Sequence, residues 1–167
     1  MPAEPASEAL PQGRFEGPQA FRALVLSALE AVAREGWREI VFSDPDYADW
    51  PLGDSATAQA LQQWSARGRS LVMLAESFKI FERHHARFVT WRRMWGHIVE
   101  CRVCSGQGMP QVPSGIWTPA WFARRIDLEN YKGMSGNDGM SRNALRESID
   151  ECLRHSRAGF PTHTLGL

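Results

Sequence analysis

The stretch SDPDYADWPLGD, Ser43 to Asp54, holds four aspartates, a tyrosine and a tryptophan. It follows the apolar run Ile40–Phe42, and a further acid, Glu76, closes the similar run SLVMLA. In open parallel sheets, ligands bind beyond the carboxyl ends of strands, where loops and helix N-termini converge. If the two runs are neighbouring strands, Asp44, Asp46, Asp49 and Glu76 share one rim, with His84 and His85 a few turns away. Carboxylates with imidazole could hold a divalent metal or exchange protons. The same residues have a plain structural use. Asp-Pro-Asp is turn chemistry, Asp54 or Ser55 can cap a helix, and Tyr47, Trp50 and Leu52 can anchor packing. The structural use carries more weight, because no spacing here matches a ligand motif.

Two other groupings have chemical content. Between Lys79 and Arg102, basic residues outnumber Glu82 and Glu100, and aromatic residues interleave with them. Arg87, Arg92 and Arg93 are the anion-binding candidates of this stretch. An amphipathic helix with aromatics inward accounts for the same pattern, so a nucleic-acid or phosphate ligand is possible but not favoured. Cys101 and Cys104 form Cys-x-x-Cys, and Cys152 and His155 form Cys-x-x-His, which together are the donor types of a zinc site. Cys101 falls in a predicted strand and buried free cysteines are ordinary core residues, so zinc is the weaker reading. No metal or cofactor is expected. KGMSGNDG is glycine-rich, but its lysine precedes the glycines, unlike a phosphate-binding P-loop.

These residues need elements to position them. Phe21, Leu24, Val25, Ala28, Leu29 and Val32 draw one stripe down a helix over 18–35, with Gly36 where a left-handed cap belongs. WREIVFSD then reads as a short buried strand. A second helix runs from Asp54 or Ser55 through Ala66, Gly68 stops it, and SLVMLAE is another buried strand. AREGWREIVFSD and SARGRSLVMLAE share this rhythm, which argues for parallel pairing and a right-handed crossover. IVECRVC reads as a third strand, IWTPAWFARRID as a strand pair or extended segment, ENYKGMSGNDGMS as a loop, and 142–157 as a helix. Residues 1–13, rich in Pro, Ala and Glu, read as a disordered tail before a single domain over 14–167. The expected fold is α/β, with a mixed, mainly parallel sheet and helices on both faces.

The chain has 167 residues, zero formal net charge and 43% hydrophobic residues, which suits one domain with a sizeable core. Global basicity of the kind that draws nucleic acid or anionic membranes is absent. The N-terminal residues do not make a secretory signal. No run approaches the roughly 18 consecutive apolar residues of a membrane span. Three cysteines make a poor disulfide framework, so a reducing cytoplasm is the expected location.

The segments FRALVLSALEAVAREGWREIVFSD, ADWPLGD and RSLVMLAESFKIFERHHARFVTWRRMWGHIVECR resemble an uncharacterised proteobacterial family with a phospholipase D-like fold. The resemblance covers roughly residues 14 to 104, with the ending TLGL as a weaker echo. Phospholipase D-like enzymes carry His-x-Lys-x4-Asp, whose histidine attacks phosphorus. Here neither His84 nor His85 has a lysine two residues on, and His97, His155 and His163 also lack one. The resemblance therefore implies half of a phospholipase D-like unit without its catalytic motif. A non-catalytic binding or regulatory domain is the leading expectation. A metal-assisted phosphodiester or phosphate-ester hydrolase using the acidic rim is the alternative. Because such domains work as pairs, the resemblance also implies a homodimer, with FVTWRRMW supplying aromatic and arginine contacts.

Overall fold

The run IVF is a buried strand for the reason its composition suggests: Ile40 and Phe42 face one layer of side chains and Val41 faces another. The computed structural model describes residues 9–160. In chain order the elements are β1 (Gly13–Glu16), α1 (Pro18–Glu35), β2 (Glu39–Ser43), α2 (Ser55–Ser65), β3 (Ser70–Ala75), α3 (Phe81–His84), α4 (Ala86–Met94), β4 (Val99–Val103), β5 (Ser114–Trp117), β6 (Phe122–Asp127), β7 (Lys132–Gly136), α5 (Gly139–Arg154) and β8 (Arg157–Ala158). The eight strands form one sheet in the order β1-β7-β6-β5-β2-β3-β4-β8.

Only β2–β3 and β3–β4 are parallel, and the other five pairings are antiparallel. The α/β class and the mixed sheet stand, but the expected mainly parallel character does not. The parallel part is the βαβ half that the sequence repeat announced. Beside it lies a β5–β6–β7 meander, whose connections are too short for a crossover and so impose antiparallel pairing, and β1, β8 and the β2–β5 contact add the other three antiparallel pairings. Pro119 sits in the first of these turns, where Thr118 Oγ1 accepts hydrogen bonds from the Ala120 and Trp121 amides.

Strand β7 replaces part of the expected glycine-rich loop. Gly133, the first of its two glycines, is a packing requirement, since a Cβ there would lie 2.1 Å from the Arg124 carbonyl of β6.

Helices cover both faces. Phe21, Leu24 and Val25 of α1, Leu61 and Trp64 of α2, and Phe88 and Trp91 of α4 pack on one face with Ile40, Phe42, Leu71 and Met73. Leu145, Ile149 and Cys152 of α5 pack on the other with Val41, Leu74, Val112 and Phe122. Helix α1 ends as expected at Gly36, whose φ of 68° is left-handed.

Residues 9–13, grouped with the tail from the sequence, are tied down. Leu10 packs against the core, and the Pro11 carbonyl accepts hydrogen bonds from Trp121 Nε1 at 3.0 Å and Ser135 Oγ at 2.9 Å. The remainder of that tail and the TLGL ending lie outside the described residues. Phe88, Trp91 and Arg92 of FVTWRRMW are buried in the protomer's own core, so a two-fold contact would have to use other residues. Among the described residues, no helix is long and apolar enough to cross a membrane.

Candidate functional site

Asp44 lies just past the C-terminal end of β2, on the rim where the sequence places a site. The register sets Ser43 beside Gly115 and Ser114 beside Arg125, so Asp44, Ser114 and Arg125 fall in a row across β2, β5 and β6. Asp44 Oδ1 accepts from Ser114 Oγ at 2.6 Å and from Arg125 Nη2 at 2.9 Å. Its Oδ2 accepts from the Tyr47 amide at 2.8 Å and the Asp46 amide at 3.2 Å. Arg125 also donates from Nη1 to Asp49 Oδ2 at 3.0 Å and from Nε to Ser114 Oγ at 3.1 Å. Its guanidinium lies 4.4 Å from the centre of the Phe21 ring. Tyr131 completes the cluster with an O–H donated to Asp49 Oδ1 at 3.1 Å, a bond that raises its own pKa.

The side chains of Asp44 and Arg125 are each 1% exposed. All four acceptor positions of the Asp44 carboxylate are engaged. A carboxylate so enclosed has no free acceptor position to offer a metal or a substrate. Its work is to fix the loop. Tyr47 adopts a φ of 61°, unusual for a residue with a Cβ, and it is held there from three sides. Its amide donates to Asp44, its O–H donates to the Leu74 carbonyl at 2.8 Å, and its carbonyl accepts from His85 Nε2 at 2.8 Å. Burial, reinforced by the Asp44 charge, pushes the Tyr47 phenol well above its ordinary range.

The other rim candidates do not converge on a common point. Glu76, Asp46 and His84 are exposed, Asp49 is half-buried, and His85 is buried beneath the loop. Among the described residues, no group of three or more His, Cys, Asp or Glu could hold a metal. The anion-binding candidates also separate. Arg87 donates to the Gly53 carbonyl at 2.7 Å, Arg93 is exposed, and Arg92 is buried with its guanidinium 4.5 Å over Phe160.

The zinc reading fails on strand geometry. Residues 101 and 104 are an odd number apart on an extended chain, so their side chains leave opposite faces of the sheet. Cys101 lies in the core beneath α1, α2 and α4, while Cys104 lies in the opposite core with Cys152 of α5. Burial raises the Cys101 thiol to about 12 and the Cys152 thiol to about 11, so both stay protonated at neutral pH. His155 is exposed beside Glu151, 3.3 Å away.

His85 is the rim residue with a titration consequence. Its Nε2 donates to Tyr47, so Nδ1 is the free ring nitrogen, and it is buried without a partner among the described residues. Burial lowers its pKa, with the Tyr47 carbonyl acting in the opposite sense. The unfolded chain takes up the proton near the ordinary histidine value of about 6.5, and the folded chain only at lower pH. The contribution to stability is complete above that value and declines as pH falls through the folded pKa. Thermal melts from pH 7 to pH 5 should therefore show a falling Tm, and His85→Phe should flatten the fall. One proton sets a limiting slope of about 1.4 kcal/mol per pH unit. An unchanged slope in the variant would assign the loss to other groups.

Sequence reasoning missed Arg125, the cation that organises the rim. Only the reading of IWTPAWFARRID as a strand hinted that one of its two adjacent arginines points inward, since neighbouring side chains leave opposite faces. The chain is thus an α/β protein whose rim is occupied by a closed ion cluster. No protein-family profile matches it, and no curated protein does. Among solved structures it is similar to TrmBL2, an archaeal chromatin protein whose structure shows a novel mode of DNA binding. The TM-score is 0.62 at 16% identity, covering 95% of this chain and 57% of that one. The likeness is one of fold, and the chain spans little more than half of that protein's chain.

Proposed function

We propose that this chain is a non-catalytic binding or regulatory domain on a phospholipase D-like scaffold, acting in the cytoplasm. The observation that carries the reading is the state of Asp44, whose acceptors are all engaged by the chain's own donors where a reacting or metal-binding carboxylate would have to stand. The missing His-x-Lys-x4-Asp agrees with it. Nucleic acid is the ligand class to test first, since the structural neighbour binds DNA. Zero net charge means that such binding rests on a local basic site rather than on the field of the whole molecule. Pairing into a homodimer belongs to this reading through the resemblance.

Bis(p-nitrophenyl) phosphate with Mg²⁺, Mn²⁺ or Zn²⁺ should show no turnover above the buffer blank. A fluorescent DNA oligonucleotide should give saturable anisotropy that weakens with salt. Turnover that Asp44→Asn removes while the protein stays folded would overturn the reading.

A further inference from the structure

At the end of the sheet opposite Asp44, the chain enters β2, β3 and β4 around a cleft of about 470 Å³. Arg38 stands before β2, Arg67 and Arg69 before β3, and Trp95 and His97 before β4, and all five line the cleft. No aspartate or glutamate lines it. Glu35, next to the cleft residue Gly36, is held by Arg34 at 3.7 Å.

The arginines are positioned by the backbone. The Arg38 carbonyl accepts from the Arg69 amide at 2.9 Å and the Ser70 amide at 3.0 Å, which clips the two strand entries together. The Arg67 side chain lies across the end of α1, its Cδ and Nη1 each 3.5 Å from where a Cβ on Gly36 would stand. The Trp95 and His97 rings lie 5.8 Å apart and form an aromatic wall.

A more ordinary use for these arginines exists. Gly36, Ala66 and Trp95 are the C-caps of α1, α2 and α4, so three helices direct their carbonyl ends toward this cleft. Cations offset such ends. An arginine can serve that purpose through space, without a hydrogen bond, and so keep its donors for a ligand. Arg38, Arg67 and Arg69 make no side-chain hydrogen bond or ion pair among the described residues. Three exposed arginines thus line one cleft, and no side-chain hydrogen bond or ion pair commits their donors among the described residues. A guanidinium fork matches the oxygens of a phosphate, and an aromatic wall accepts a base or sugar face.

We infer that this cleft binds a phosphate-ester anion, a nucleotide unit carried on a nucleic-acid strand or free in solution. The inference rests on the reading of the chain as a binding domain and gives that domain its ligand site.

The test uses fluorescence anisotropy of the full chain with two probes, a labelled single-stranded DNA 20-mer and labelled AMP. Arg67→Ala/Arg69→Ala is compared with Arg14→Ala/Arg83→Ala, which removes the same charge from exposed positions elsewhere. The cleft variant should bind at least tenfold more weakly and the control less than threefold. For the 20-mer, the slope of log K against log salt should fall by about 1.4 in the cleft variant, two phosphate contacts at about 0.7 each. Circular dichroism melts confirm that both variants fold, and Arg38→Gln serves as an independent single change with the same direction of effect. Binding of the 20-mer alone identifies a strand as the source, and binding of both probes shows that a free nucleotide suffices. A cleft variant that binds like the parent overturns the site while leaving the binding-domain reading intact. A parent chain that binds neither probe also overturns the site. Phosphodiester turnover would sink the non-catalytic reading without touching this result.

Discussion

Asp44→Ala is expected to cost about 3–5 kcal/mol of folding stability, the range for removing one partner of a buried ion pair. The substitution leaves Arg125, 1% exposed, with Asp49 as its only carboxylate. It also strips the Tyr47 and Asp46 amides and the Ser114 hydroxyl of an acceptor. Arg125→Met should cost a similar amount, because it leaves the Asp44 charge without its cation. The double variant should lose less than the sum of the two, since each single change strands what the other removes. Urea denaturation of the four proteins measures this cycle. Losses below about 1 kcal/mol, or strict additivity, would show that the cluster does not hold the rim together.

Trp50→Ala is the second large effect, again about 3–5 kcal/mol for truncating a buried tryptophan. Trp50 is 1% exposed and stands between ring systems, with centroids 5.9 Å from Phe21, 5.4 Å from Phe42 and 4.8 Å from Tyr47. It ties the acidic loop to α1 and β2 at once. Its Nε1 is buried with no partner among the described residues, so Trp50→Phe removes an uncompensated polar group along with part of the ring. The Phe variant should therefore lose clearly less than the Ala variant in thermal or urea denaturation. Equal losses would mean that the indole matters for something other than packing.

Both effects concern the loop SDPDYADWPLGD, and its structural role was largely readable in advance. Asp-Pro-Asp announced a turn, and Trp50 and Leu52 announced anchors. One detail differs. Asp54 is the N-cap of α2, but its side chain makes no capping bond and pairs with Arg22 at 3.2 Å. The partner that closes the rim was out of reach, because Arg125 lies 81 positions from Asp44 and only the β2–β5–β6 register joins them. The parallel half of the sheet was legible because IVF and LVML lack the polar alternation of a solvated strand. The antiparallel half was not. Strand β1 is the brief, largely exposed GRFE, and β7 is disguised by two glycines, of which Gly133 serves close packing. The basic cleft was hidden in a different manner. The repeated helix-Gly-strand junction was visible, but that it brings Arg38 beside Arg69 depends on β2 and β3 being neighbours.

The outer strands of the sheet have a further consequence. Among the described residues, one margin is β1, with four residues, and the other is β8, with two. A foreign chain that extends a sheet needs a long, open row of backbone donors and acceptors to copy. Strands this brief present a short template, and the deep hydrogen-bonding edges of β4 and β7 are partly capped by them. The fold thus shortens the template for fibre-like growth at its own borders, a device by which sheets discourage edge-to-edge stacking, and it does so with the strands the sequence shows least clearly.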